Sequence, residues 1–141
     1  MRSAAVFFAP RVQDLSLTEK PTWNLLLIDP NRMSRATNKR QLEYYGYAVR
    51  EAESGRQAVL TVQQQPRAID LILLDTSIAD APSANVLQVL QKLRPEAPVI
   101  LITDQTVTDG RSMPSGVVAT LKKPMRTDRL LAVVGKALGR T

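Results

Sequence analysis

Five short, strand-length runs separated by helix-length stretches constrain this sequence more than any other feature. They are Asn24–Ile28 (NLLLI), Tyr47–Glu51 (YAVRE), Leu71–Leu74 (LILL), Val99–Ile102 (VILI) and Val117–Leu121 (VVATL). Taken together they are too apolar for a sheet with one wet face. Near-continuous hydrophobicity over four or five residues suits parallel strands covered on both sides.

The stretches between them carry helix signals. Asp29 and Asn31 are candidate caps, Pro30 suits a first helical turn, and Arg32–Tyr45 continues with good helix formers until Gly46 stops it. Ser54 opens a second helix to about Gln65, with Ala58, Val59 and Val62 inward and Pro66 beyond its end. Ser83–Leu93 repeats Val86, Leu87, Leu90 and Leu93 at helical spacing. Thr127 or Asp128 caps a last helix whose stripe is Leu130, Leu131, Val134, Ala137 and Leu138. From Asp104 to Gly116 the chain is polar and carries Gly110, Pro114 and Gly116, so a fourth helix is expected there only in short or irregular form. Strands alternating with helices predict an α/β fold, an open five-stranded parallel sheet with helices on both faces. Right-handed crossovers leave few topologies, and the flavodoxin-like order 2-1-3-4-5 is the commonest for five strands.

With 141 residues the chain has length for one core. Residues 1–22 show no sustained period and read as an N-terminal extension; residues 23–141 read as the domain. The absence of cysteine and histidine removes disulfides, thiol nucleophiles, common zinc sites and Ser/His or Cys/His catalytic pairs. Any metal needs oxygen ligands. The apolar patch near the N-terminus is too short for a signal core or a membrane span, so a cytoplasmic location without membrane contact is expected. The net charge of +6 favours acidic partners, but basic balance specifies no site, and a solvated surface is its simplest meaning.

In an open parallel sheet the ligand site lies beyond the carboxyl ends of the strands, at the switch point between the first and third. The residues there are Asp29, Asp75, Thr103 and Lys123. Two carboxylates, a hydroxyl and an ammonium in one crevice suit a divalent cation and a phosphoryl group. A carboxylate attacks a phosphoryl donor poorly unless a cation neutralises the approaching oxygens.

In order, NLLLIDPN, DLILLDTSIAD, VILITD and LKKPM resemble the receiver domain of response regulators in two-component signalling, over roughly Asn24 to Leu138. The resemblance implies that Asp75 accepts phosphate from a histidine kinase or another phosphodonor protein. It implies that Lys123 and Thr103 contact the phosphoryl group, that Asp29, Asp75 and Ser77 bind a weakly held Mg2+, and that Pro124 follows a cis bond. Such a domain is not an enzyme but acts by binding a downstream partner protein; a homodimer is a further candidate.

Several residues depart from the family's pattern. Pro30 stands where a second acid usually binds the metal, and Asp104 is a candidate compensating acid. Ala79 and Ser83 replace the loop proline and glycine. Thr120 occupies the position of the switch aromatic. These departures favour, as the alternative, a phosphorylation-independent pseudo-receiver acting as an interaction scaffold. Nucleic-acid binding is a lesser alternative, resting on Arg32, Arg35, Lys39 and Arg40 in the first helix and Arg126, Arg129, Lys136 and Arg140 in the last. An aspartyl phosphohydrolase is disfavoured, because Asp75-Thr76-Ser77 lacks a second aspartate two residues on.

Overall fold

A computed structural model describes residues 22–105 and 113–140. The N-terminal extension, apart from Thr22, and Gly110 of the expected weak fourth helix lie outside these residues. The described elements are β1 (Asn24–Ile28), α1 (Arg32–Tyr44), β2 (Ala48–Ala52), α2 (Gly55–Gln64), a single 3-10 turn (Pro66–Ala68), β3 (Leu71–Asp75), α3 (Ser83–Leu93), β4 (Val99–Thr103), β5 (Val117–Lys122) and α4 (Thr127–Ala137). The strands form one sheet in the order β2-β1-β3-β4-β5, and every neighbouring pair is parallel. The fold is the expected flavodoxin-like sheet.

Alternation along the strands divides the core into two. Leu26, Ile28, Ile72 and Leu74 pack with Ala58 and Val62 of α2 and Val86, Leu87 and Leu90 of α3. Leu25, Leu27, Leu71 and Leu73 point the other way, onto Leu42 of α1 and Leu130, Val133 and Val134 of α4. Because successive side chains leave a strand on opposite faces, a run such as Leu25-Leu26-Leu27-Ile28 is useful only between two helical layers. Each of these four side chains is at most 1% exposed, and full burial of one is worth about 1.5–3 kcal/mol.

Helix ends follow local chemistry, with two corrections. Asn31, one of the two expected candidates, is the N-cap of α1, its side chain accepting from the Ser34 N–H at 2.9 Å, whereas Pro30, expected in the first turn, lies ahead of the helix. Ser54 caps α2 as expected, accepting from the Gln57 N–H at 3.1 Å. For α4 neither Thr127 nor Asp128 is the cap; Arg126 holds that position without a side-chain cap bond, and its guanidinium pairs with Asp128 in the first turn. That acid still suits the positive end of the helix. Gly46, with φ at 97°, ends α1 in a conformation that side chains disfavour, and its N–H donates to the Glu43 carbonyl at 3.0 Å. β2 begins one residue later than expected, at Ala48, the Tyr47 N–H donating instead to the Leu42 carbonyl of α1 at 3.2 Å.

Candidate functional site

The sheet register sets the site. Ile28 of β1 lies opposite Leu74 of β3, so Asp29 and Asp75 come next on adjacent strands, at the carboxyl edge of the sheet. Asp75 in turn pairs with Ile102 of β4, and Thr103 pairs with Lys122 of β5. Asp29 and Asp75 are 2% and 1% exposed, and they are the buried polar or charged residues among those described. Burying a carboxylate costs several kcal/mol unless donors surround it, so its partners define the chemistry.

Asp29 is satisfied from its own helix. Its Oδ1 accepts from the Asn31 N–H at 2.8 Å and its Oδ2 from the Ser34 hydroxyl at 2.5 Å. The Asp29 N–H donates to the Ala52 carbonyl at 3.0 Å, and Arg35 Nη1 donates to the Asp29 carbonyl at 2.7 Å. Asp75 is satisfied from two loops. Its Oδ1 accepts from the Ser77 N–H at 2.8 Å and the Ser77 hydroxyl at 2.6 Å. Its Oδ2 faces Lys123 Nζ at 2.5 Å as an ion pair and, among the described residues, accepts no hydrogen bond. Oδ2 is therefore held by the ammonium alone, whereas Oδ1 carries two hydrogen bonds.

The backbone holds Lys123 as well. Its N–H donates to the Thr103 carbonyl at 2.8 Å, and its bond to Pro124 is cis, as expected. The Thr103 hydroxyl accepts from the Gln105 N–H at 3.1 Å, which leaves its own proton to donate. Beside the acids an open cleft of about 550 Å³ is lined by Asp29, Met33, Ser34, Lys123, Pro124 and Met125, among others. The structure thus groups Asp29 with Lys123 in one cleft and Asp75 with Ser77 and Lys123, and links Thr103 to Lys123 through the main chain. Asp104 is exposed. Thr120 is half-buried in β5, and its hydroxyl donates to the Met113 sulfur at 3.7 Å.

The comparisons with known proteins agree on one family. A family model for the response regulator receiver domain matches residues 25–135. The chain belongs to this family. The transcriptional regulatory protein ZraR of Escherichia coli K12 is 31% identical over 120 residues, which make up 84% of this chain and 27% of that protein. The DNA-binding transcriptional regulator NtrC of a Bradyrhizobium strain is 29% identical over 120 residues, 84% of this chain and 25% of the relative. The chain therefore spans about a quarter of the length of these curated relatives. A CheY-like receiver structure from Methanospirillum hungatei superposes with a TM-score of 0.75 at 22% identity, covering 84% of this chain and 95% of that one. That likeness shows the fold. Receiver domains are signalling domains of two-component systems and generally not enzymes. No helix among the described residues is long and apolar enough to cross a membrane.

Receivers generally bind Mg2+ at this acidic edge. The donor set here is a poor match. Pro30 brings no side-chain oxygen, both oxygens of Asp29 already accept hydrogen bonds, and among the described residues no three acidic side chains group to hold a metal ion. Magnesium favours several oxygen ligands in octahedral array and dehydrates reluctantly, so loss of a direct carboxylate weakens its binding.

Sequence reasoning did not single out Ser34 or Asp80. Asp80, in the β3–α3 loop, accepts from the N–H groups of Gly55 and Arg56 at 2.9 Å each and so caps α2 across 25 and 24 residues of sequence. The Arg56 N–H, then the Gly55 N–H, hold its carboxyl below the usual carboxylate range. For Ser34 a signal existed: a hydroxyl in the first helical turn after an acidic strand end.

Proposed function

We propose that this receiver accepts a phosphoryl group on Asp75 and signals through a partner protein. The observation that carries the reading is the contact of Lys123 Nζ with Asp75 Oδ2, at 2.5 Å, on a carboxylate that is 1% exposed. An Oδ2 lone pair attacks phosphorus; one P–O bond forms to Asp75 as the donor's bond to phosphorus breaks, and the electron pair leaves with the donor. The Lys123 ammonium neutralises the phosphoryl oxygens, and the free proton of the Thr103 hydroxyl is donated to one of them. The donor is a histidine kinase or another phosphodonor protein, the location cytoplasmic, and the domain comprises residues 23–141 with residues 1–22 as an extension. Any bound Mg2+ is held weakly by Asp29, Asp75 and Ser77, with exposed Asp104, next to Thr103, a candidate to add charge.

Intact mass after incubation with acetyl phosphate, with and without magnesium, tests the reading. The wild type gains one phosphoryl mass, slowly, and Asp75→Asn gains none. An unmodified wild type, or equal labelling of the variant, overturns it.

One observation favours a second reading, a pseudo-receiver that binds its partner regardless of phosphate. At the position of the switch aromatic, the small Thr120 is engaged with Met113. No ring is there to rotate inward when Thr103 is drawn toward a phosphoryl group.

A further inference from the structure

We propose that Ser34 is a hydroxyl lock on Asp29, which lets the buried acid pair of this receiver stand without a divalent cation. Two carboxylates side by side at a dry sheet edge repel each other and need compensation. Here that compensation is built from the chain. Asp29 takes one hydrogen bond from the Asn31 N–H and one from the Ser34 hydroxyl, and Asp75 takes two from Ser77 and an ion pair from Lys123.

The direction of the Ser34 hydroxyl matters most. A serine early in a helix has a local alternative, a bond back to a main-chain carbonyl, and here the Asn31 carbonyl lies 3.4 Å from Oγ. The shorter contact, 2.5 Å, is with Asp29 Oδ2. Because Ser34 lines the same cleft as Asp29 and Lys123, a cation entering there meets a carboxylate whose Oδ2 already accepts from a donor. Pro30, beside it, removes the oxygen that would have made such a cation worth its dehydration. The two residues act together: Pro30 removes a ligand, and Ser34 gives the remaining carboxylate a hydrogen-bond donor where a cation would otherwise sit.

This deepens the receiver reading and rests on Asp29 and Asp75 forming one site. It is tested without any phosphodonor, so it stands or falls apart from the modification of Asp75. Mn2+ is titrated into the full chain, and free Mn2+ is read by electron paramagnetic resonance. Wild type and Ser34→Thr, which keeps the hydroxyl, bind weakly. Ser34→Ala binds about fivefold tighter or more, and Pro30→Asp gains more in the Ser34→Ala background than alone, since carboxylate charge and freedom set affinity. If Ser34→Ala does not fold, Ser34→Cys, similar in shape and a weaker donor, carries the same expectation. Wild-type binding as tight as that of the hydroxyl-free variant overturns the proposal, as does a full gain from Pro30→Asp with Ser34 in place.

Discussion

The guanidinium of Arg35 donates from Nη1 to the carbonyl oxygen of Asp29 at 2.7 Å, and from Nε to Glu51 at 3.1 Å. One side chain thus ties the end of β1 to α1 and to the edge strand β2. Its exposure is 13%, so removing it strands a partly buried carbonyl. Arg35→Ala should cost about 1–3 kcal/mol in denaturant unfolding. Arg35→Lys should recover only part of that, because an ammonium lacks the planar fork that serves both acceptors.

The ion pair of Lys123 with Asp75 is asymmetric, with the lysine 32% exposed and the aspartate 1%. Lys123→Met leaves a buried carboxylate without its cation and should destabilise by about 1–3 kcal/mol after allowance for solvent at the lysine end. Asp75→Asn should be milder, and in its background Lys123→Met should cost little. A double-mutant cycle by chemical denaturation measures the coupling; additive losses would mean that the pair contributes nothing.

Asp80 gives α2 an acid-sensitive end. Its carboxyl is held low by the Arg56 and Gly55 N–H groups, so the stability it adds is present above the usual carboxylate value and is lost as pH falls through its own lowered value. Asp80→Asn should therefore be less stable than wild type at neutral pH, and the gap should close in acid. Thermal melts of the two proteins between neutral and strongly acidic pH check the sign.

Gly55 is required for space. A Cβ there would lie 2.6 Å from Val86 Cγ2, a core atom of α3, and 3.3 Å from Asp80 Oδ1. Gly55→Ala, which raises helix propensity, should nonetheless destabilise by about 1–3 kcal/mol through overpacking. A gain in melting temperature would show that α2 and α3 can part freely.

If Thr120 cannot report on the acceptor, the affinity for a partner should differ less than about tenfold between protein treated with beryllofluoride and untreated protein, because a ligand shifts an equilibrium only by its differential affinity for two states. Amide exchange over β5 and α4 reads the same quantity. Large protection changes there would restore an ordinary switch.

The sheet and its acids were legible because both are periodic or positional signals. Runs such as Leu71-Ile72-Leu73-Leu74 declare a two-sided strand, and in this topology whatever follows a strand lies at the ligand edge. The partners of those acids were not legible. Asp80 finds Gly55 by packing the β3–α3 loop against the head of α2, which no sequence spacing encodes. The choice of Ser34 between the Asn31 carbonyl and the Asp29 carboxylate depends on how α1 leaves β1, a three-dimensional detail that residue spacing does not carry. The α4 cap failed for a similar reason: Asp128 turned to the Arg129 N–H and the Arg126 guanidinium.

The loop after β3 is moored at two points, by Asp75 to its own Ser77 and by Asp80 to the head of α2. Four residues lie between the two aspartates, so the loop resembles a short bridge fixed on both banks. A bulky addition at Asp75 has little slack to draw from that bridge. Opposite it stands the Lys123 side chain, 32% exposed and ion-paired with Asp75, whose main chain is bonded to Thr103 at the end of β4.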